Sequence, residues 1–124
     1  MTPPAPARRA AYRLGLKAET LAAWWLRLRG YRILERRFKT PAGEIDLIAR
    51  RGDTVAIVEV KARASRDAAI EAVTPRTRQR LLRAADIWLT RNPAYATSAI
   101  RFDIIAIVPK RLPHHIINAF FDER

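Results

Sequence analysis

Two carboxylates and an amine come together once one short stretch of the chain is folded as a hairpin. Glu44 to Arg50 and Thr54 to Arg63 are both rich in Ile and Val, with Gly52-Asp53 between them. Glycine at the first central position is what a type II′ turn requires. With Arg51 opposite Thr54, the cross-strand pairs become Ile48 with Ile57, Leu47 with Val58, Asp46 with Glu59, and Glu44 with Lys61. One face, made of Ile45, Leu47, Val58 and Val60, is then wholly apolar. The other starts apolar at Ile48 and Ile57 and turns charged at Asp46, Glu59, Glu44 and Lys61. Carboxylates ~5 Å apart on neighbouring strands repel unless a cation lies between them. Lys61, two residues beyond Glu59 on the same face, could be that cation in a plain salt-bridged cluster. Two hard oxygen ligands at one point equally suit Mg²⁺, which binds through one or two carboxylates and completes its shell with water and phosphate. A divalent ion there would polarise a phosphodiester and help deprotonate an attacking water. A nearby lysine would stabilise charge developing on the phosphate. Spacing alone leaves the two readings level, because Asp followed by Glu-x-Lys is a short pattern.

The scaffold for these residues is legible as periodicity. From Leu14 to Arg29, the residues Leu14, Ala18, Leu21, Ala22, Trp25 and Leu28 recur at spacings of three and four, and Gly30 follows. That pattern predicts an amphipathic helix with its end marked by glycine. Tyr31 to Lys39 reads as a strand running into the Thr40-Pro41 turn, and Ala64 to Val73 as a loop of small residues. Thr74-Pro75 supplies an N-cap and a first-turn proline for a second helix, with Leu81, Leu82, Ala85, Trp88 and Leu89 as its buried stripe and Asn92-Pro93 as its end. Ala99 to Val108 reads as a buried strand stopped by Pro109, and Ile116 to Phe121 as a short final strand. Helix, three strands, helix, and one or two strands make an α/β arrangement.

Asp46, then Glu59-Val60-Lys61 on the next strand, with Glu19 in a preceding helix, resembles the PD-(D/E)XK nuclease superfamily. Further ordered matches extend from Leu14 to Phe121: Gly15, Ala18-Glu19, Ala22, Leu26, Gly30-Tyr31-Arg32-Ile33-Leu34, Gly43-Glu44-Ile45-Asp46-Leu47-Ile48, Arg101-Phe102-Asp103 and Asn118-Ala119-Phe120. Together they resemble the YraN family of predicted endonucleases. The resemblance implies a restriction-endonuclease-like αβββαβ core with a mixed central sheet flanked by helices, similar to Holliday-junction resolvases. It also implies Asp46 and Glu59 as ligands of Mg²⁺ or Mn²⁺, Lys61 as catalytic lysine, and Glu19 as an accessory acid facing the metal. Glu44 falls in the family's Gly-Glu-Ile-Asp stretch, as a partner of Lys61 or an arginine or as a further ligand. The chain departs from the family pattern at Thr77, where relatives often carry a lysine after the Pro-Arg that opens the second helix. Arg76 or Arg78 stands nearby to replace that charge.

Composition agrees with an anionic partner. The 124 residues carry 24 Lys and Arg against 12 Asp and Glu, a net charge of +12, which points to nucleic acid before membrane surface. All the cations but Lys17, Lys39, Lys61 and Lys110 are arginines, and arginine grips phosphate in a bidentate fork. A GC-rich genome would produce the same bias. Arg76, Arg78, Arg80 and Arg83 on the second helix are the candidate phosphate contacts. There is no cysteine, which excludes disulfides and thiolate chemistry and suits the cytoplasm. No run approaches the ~18 apolar residues of a membrane helix. Residues 1–9 read as a disordered basic tail, followed by one domain over 10–124. His114 and His115 point to opposite sides of a strand and read as structural, as do Trp25 and Trp88, while Arg101 and Asp103 share a strand face and brace each other. The expectation is a metal-dependent endonuclease on DNA, branched or structured DNA included, with a homodimer allowed as in resolvase-like relatives. The alternatives are a non-catalytic nucleic-acid-binding module on the same fold and a basic accessory protein of a ribonucleoprotein.

Overall fold

Hydrophobic periodicity and turn chemistry become five strands and three helices in the computed structural model, which describes residues 5–121. In chain order these are α1 (Ala5–Leu28), β1 (Arg32–Thr40), β2 (Gly43–Arg51), β3 (Thr54–Ala62), α2 (Arg66–Glu71), α3 (Pro75–Arg91), β4 (Ala99–Ile107) and β5 (His114–Phe120), with a 3-10 turn at Pro93–Tyr95. The sheet runs β1-β2-β3-β4-β5. Among the described strands only β3 and β4 pair in parallel, and a parallel pair needs a long crossover, here supplied by α2 and α3. The result is the αβββαβ core of a restriction-endonuclease-like fold, a mixed sheet between helices, extended by β5.

Two apolar layers close the molecule. Under α3, Leu81, Ala85 and Trp88 pack with Ile45, Ile48, Ile57 and Ile104; under α1, Ala18, Ala22, Ala23 and Leu26 pack with Leu47, Val58 and Ile105. The α1 stripe is therefore rotated from the one its spacing predicts. Leu14, Leu21 and Leu28 are exposed and alanines face the sheet, because a small side chain lets the helix lie closer to the strands. Ile45 also changes layers: it sits with Ile48 under α3, not with Leu47 and Val58. The period of two breaks at Asp46.

Local signals explain the ends. Gly30 at φ +86° closes α1, with Tyr31 N–H donating to the Leu26 carbonyl at 2.9 Å and Gly30 N–H to that of Arg27 at 3.0 Å, which is the Schellman arrangement. Gly52 takes φ +59° and Asp53 stays out of that region, as the type II′ turn demands. Thr74 caps α3, its Oγ1 accepting from Thr77 N–H at 3.2 Å. Two expectations are corrected. The segment read as a loop holds α2, capped by Ser65 and anchored by buried Ala69, a helix too short to show a period. Residues 5–9, read as tail, are helical from Ala5, since proline in a first turn gives up only an N–H that has no helical partner; residues 1–4 lie outside the described part. Among the described residues, no helix is long and apolar enough to cross a membrane.

Candidate metal centre

The cleft arises where β2 leaves its neighbours. Pairing with β1 passes from Arg36↔Leu47 to Phe38↔Ile45, and pairing with β3 ends at Leu47↔Val58, so Asp46 has a ladder partner on neither side. The pairs Asp46 with Glu59 and Glu44 with Lys61, expected from continuing the hairpin register, do not form. The Asp46 carboxylate replaces the missing backbone acceptor, its Oδ2 taking Val60 N–H at 2.8 Å. β3 stays in place because β4 holds it from the other side, with Glu59↔Ile104 and Lys61↔Ala106. Gly15, Ala18 and Glu19 of α1 then form one wall over Asp46, Glu59 and Lys61, enclosing a cleft of ≈ 320 Å³. A neighbouring hollow joins Tyr12, Arg37 and Glu44 to the same acids.

Charge is crowded here. Ligand oxygens of Glu19, Glu44 and Asp46 lie within 4.8 Å of one another. Burial, and then the hydrogen bond and charge of Asp46, push the Glu59 carboxyl up to about 9, against the pull of Lys61 Nζ at 3.8 Å. Burial followed by the Asp46 charge raises Glu19 to about 7, with Arg37 opposing. The buried Glu19 Oε2 receives no hydrogen bond. Hard oxygens pressed together, one of them without a donor, fit a divalent cation: the three acids could bind a metal. Both Glu19 and Glu59 are raised above their ordinary 4.5, so each contributes stability that is full below that value and lost as pH rises through the folded value. In chelator the melting temperature is therefore expected to decline from pH 4.5 through about 7 to about 9. Added Mg²⁺ should remove much of the decline, and thermal melts across that range check it.

A profile of the Uncharacterised protein family UPF0102 matches residues 18–107. The chain belongs to this family. Among its relatives, UPF0102 proteins from Rhodopseudomonas palustris (strain HaA2) and Chelativorans sp. (strain BNC1) are each 57% identical, over 95% of this chain and 92% of the first and 91% of this chain and 91% of the second. One from Parvibaculum lavamentivorans is 59% identical over 90% of this chain and 84% of its own length. The matched region contains Glu19, Asp46, Glu59 and Lys61. UPF0102 is the family that the sequence resemblance reached as YraN.

The remaining candidates of this UPF0102 member separate in space. Arg76, Arg80 and Arg83 are exposed on α3. Arg80 lies against the turn before the site, its Cβ 3.3 Å from where a side chain at Gly43 would begin. Arg78 is half-buried, donating from Nε to the Val73 carbonyl at 3.3 Å and lying over the Phe120 ring. Thr77 is engaged in the helix cap, its Oγ1 3.1 Å from that of Thr74. Trp88 is buried and Trp24 exposed, while Trp25 is half-buried under Arg29. Arg101 and Asp103 do pair, at 2.8 Å, and His115 and Tyr31 complete their network. Sequence reasoning missed Arg37, which reaches the acids from β1, and Tyr12 of α1, whose hydroxyl accepts from Arg37. Residue type alone gives no signal for either.

Proposed function

We propose that the chain is a divalent-metal-dependent endonuclease that hydrolyses phosphodiester bonds in DNA. The observation that supports this reading best is the convergence of Glu19, Asp46, Glu59 and Lys61 on one cleft, with Glu44 reaching the same acids from the adjoining hollow and a Glu19 oxygen that no protein donor satisfies. Glu19, Asp46 and Glu59 are the residues that would hold Mg²⁺ or Mn²⁺, and Glu44 reaches the same point. When bound, the ion supplies Lewis-acid polarisation of the phosphodiester and activation of an attacking water. Lys61 is only loosely paired with Glu59 at 3.8 Å, which leaves its ammonium protons to meet charge developing on the phosphate oxygens. Asp46, tied to Val60 N–H, keeps the acids in register with β3.

Arg76, Arg80 and Arg83 hold the DNA backbone along α3, where Arg80 lies against the Gly43 turn, and Arg78 supports the start of that helix. Replacing the three exposed arginines with Ala is expected to weaken binding across all sequences. It should also reduce the slope of log K against log salt by about 0.9 for each B-DNA phosphate that is no longer neutralised. Unchanged affinity and slope would make that helix a solvated face. Branched DNA is the substrate suggested by likeness to junction resolvases. Incubation with linear, single-stranded and four-way-junction DNA tests the reading: at least one should be cut with Mg²⁺ or Mn²⁺ and none in chelator. A second reading, a binding module without catalysis, is favoured by Thr77, whose hydroxyl serves the cap at the position where the sequence departs from the pattern of the family it resembles. Salt-dependent binding with no cleavage in either metal would select it.

A further inference from the structure

Arg37 stands on β1 facing Asp46, between Arg36 and Phe38, which both keep their ladder partners on β2. Its backbone takes φ 54°, a conformation uncommon for a residue with a Cβ and held only where the surroundings insist on it. What holds the side chain is the acidic cleft and one tyrosine. Nε donates to Glu44 Oε1 at 3.4 Å and lies 3.9 Å from Glu19 Oε2, while Nη1 donates to Tyr12 Oη at 3.1 Å. The 3.9 Å contact is too long for a hydrogen bond, so Glu19 Oε2 receives charge from Arg37 and nothing more. Of the neighbouring cations, Arg36 bonds Thr20 Oγ1 and acts on Glu19 by charge alone, more weakly than Arg37, and Lys61 pairs with Glu59.

Glu19 and Glu44 are thus neutralised by an arginine at the point where, on the metal-dependent reading above, they would neutralise an ion. A guanidinium and a divalent cation cannot share those oxygens without strong repulsion. We propose that Arg37 is a counter-cation built into the acidic cleft, which balances Glu19 and Glu44 in the metal-free protein and is exchanged for the divalent ion when it binds. The exchange makes Arg37 a competitor of the metal, whereas a permanent brace that orients Glu44 would be its helper. The two roles differ in sign.

Calorimetric titration of Mg²⁺ into nucleic-acid-free protein separates them, using the parent, Arg37→Asn and Arg37→Lys. Asn tolerates positive φ, and Arg37→Gly, unstrained there, is a second neutral variant should the first fail to melt cooperatively. The neutral variants are expected to bind Mg²⁺ roughly fivefold tighter than the parent, the upper end of what a partly exposed charge pair contributes. They should melt lower in chelator and gain more from added Mg²⁺. Arg37→Lys should stay near the parent. Equal or weaker Mg²⁺ binding by the neutral variants, with the parent binding intact, overturns the exchange and leaves the metal centre standing. No binding of Mg²⁺ or Mn²⁺ by the parent removes the metal centre and the exchange together.

Discussion

Lys61→Ala is expected to lower cleavage turnover by about 10²- to 10³-fold, the usual cost of removing one donor aimed at developing transition-state charge, while leaving Mg²⁺ affinity within a few-fold of the parent. The side chain is half-buried on β3, 3.8 Å from Glu59 Oε1, and Glu59 carries its proton in the metal-free protein because burial and Asp46 hold it there. Little electrostatic stability is therefore at stake when Lys61 is removed. A salt-bridged cluster with no catalytic role predicts the opposite: a lower melting temperature, because Asp46 and Glu59 lose their cation, and no activity to lose. Cleavage rate, Mg²⁺ titration and thermal melting on this one variant distinguish the two.

Asp103→Ala is expected to cost about 3–5 kcal/mol of stability, as removing one partner of a buried ion pair does. That is a large part of the ~5–15 kcal/mol available to a small domain. Asp103 is fully buried on β4. Oδ1 accepts from Arg101 Nε and Asn118 N–H, both at 2.9 Å. Oδ2 accepts from Arg101 Nη2 at 2.8 Å and meets His115 Nε2 at 2.7 Å. Arg101 also bonds the Tyr31 hydroxyl. Truncation leaves a largely buried guanidinium and the N–H of Asn118, itself at φ 56°, without their acceptor. Burial opposes ionisation of Asp103, but the hydrogen bonds from His115, Arg101 and Asn118 outweigh it and hold the carboxyl below its ordinary 3.8. The stability it contributes is present above that value and lost as pH falls through the folded one. Denaturant melts should show the drop at neutral pH, and Asp103→Asn should lack part of the parent's acid-unfolding limb. A loss under about 1 kcal/mol for Asp103→Ala would mean the network is replaceable by water.

How far the sequence anticipated this structure depends on whether each signal was local. Gly52-Asp53 and the Ile/Val alternation around it set the hairpin register as far as Leu47↔Val58, because turn type and side-chain period act over a few residues. Thr74-Pro75 and Asn92 bounded α3 for the same reason. The rotation of α1 was not legible: alanine carries a weak hydrophobic signal, and only its packing against the sheet reveals it as the buried face. Nor was the end of the β2–β3 ladder, which depends on β4 retaining β3 while Asp46 takes up Val60 N–H. Asp46, Glu59, Lys61 and Glu19 were nominated by spacing and resemblance, and they do line one cleft. Arg37 was invisible because its role comes from a positive φ and from acids on two other elements.

Metal-dependent cleavage at the acidic cleft is tested most directly by cutting of a four-way junction, in Mg²⁺ and in chelator, by the parent and Asp46→Asn purified side by side. Asn can still accept Val60 N–H and relieves the like-charge crowding with Glu19 and Glu44, so the variant should melt no lower than the parent in chelator. The expected result is Mg²⁺-dependent cutting by the parent, a rate lower by orders of magnitude for Asp46→Asn, and no cutting by either in chelator. Equal rates from the two proteins, or cutting by the parent that chelator leaves untouched, would contradict a metal-dependent mechanism.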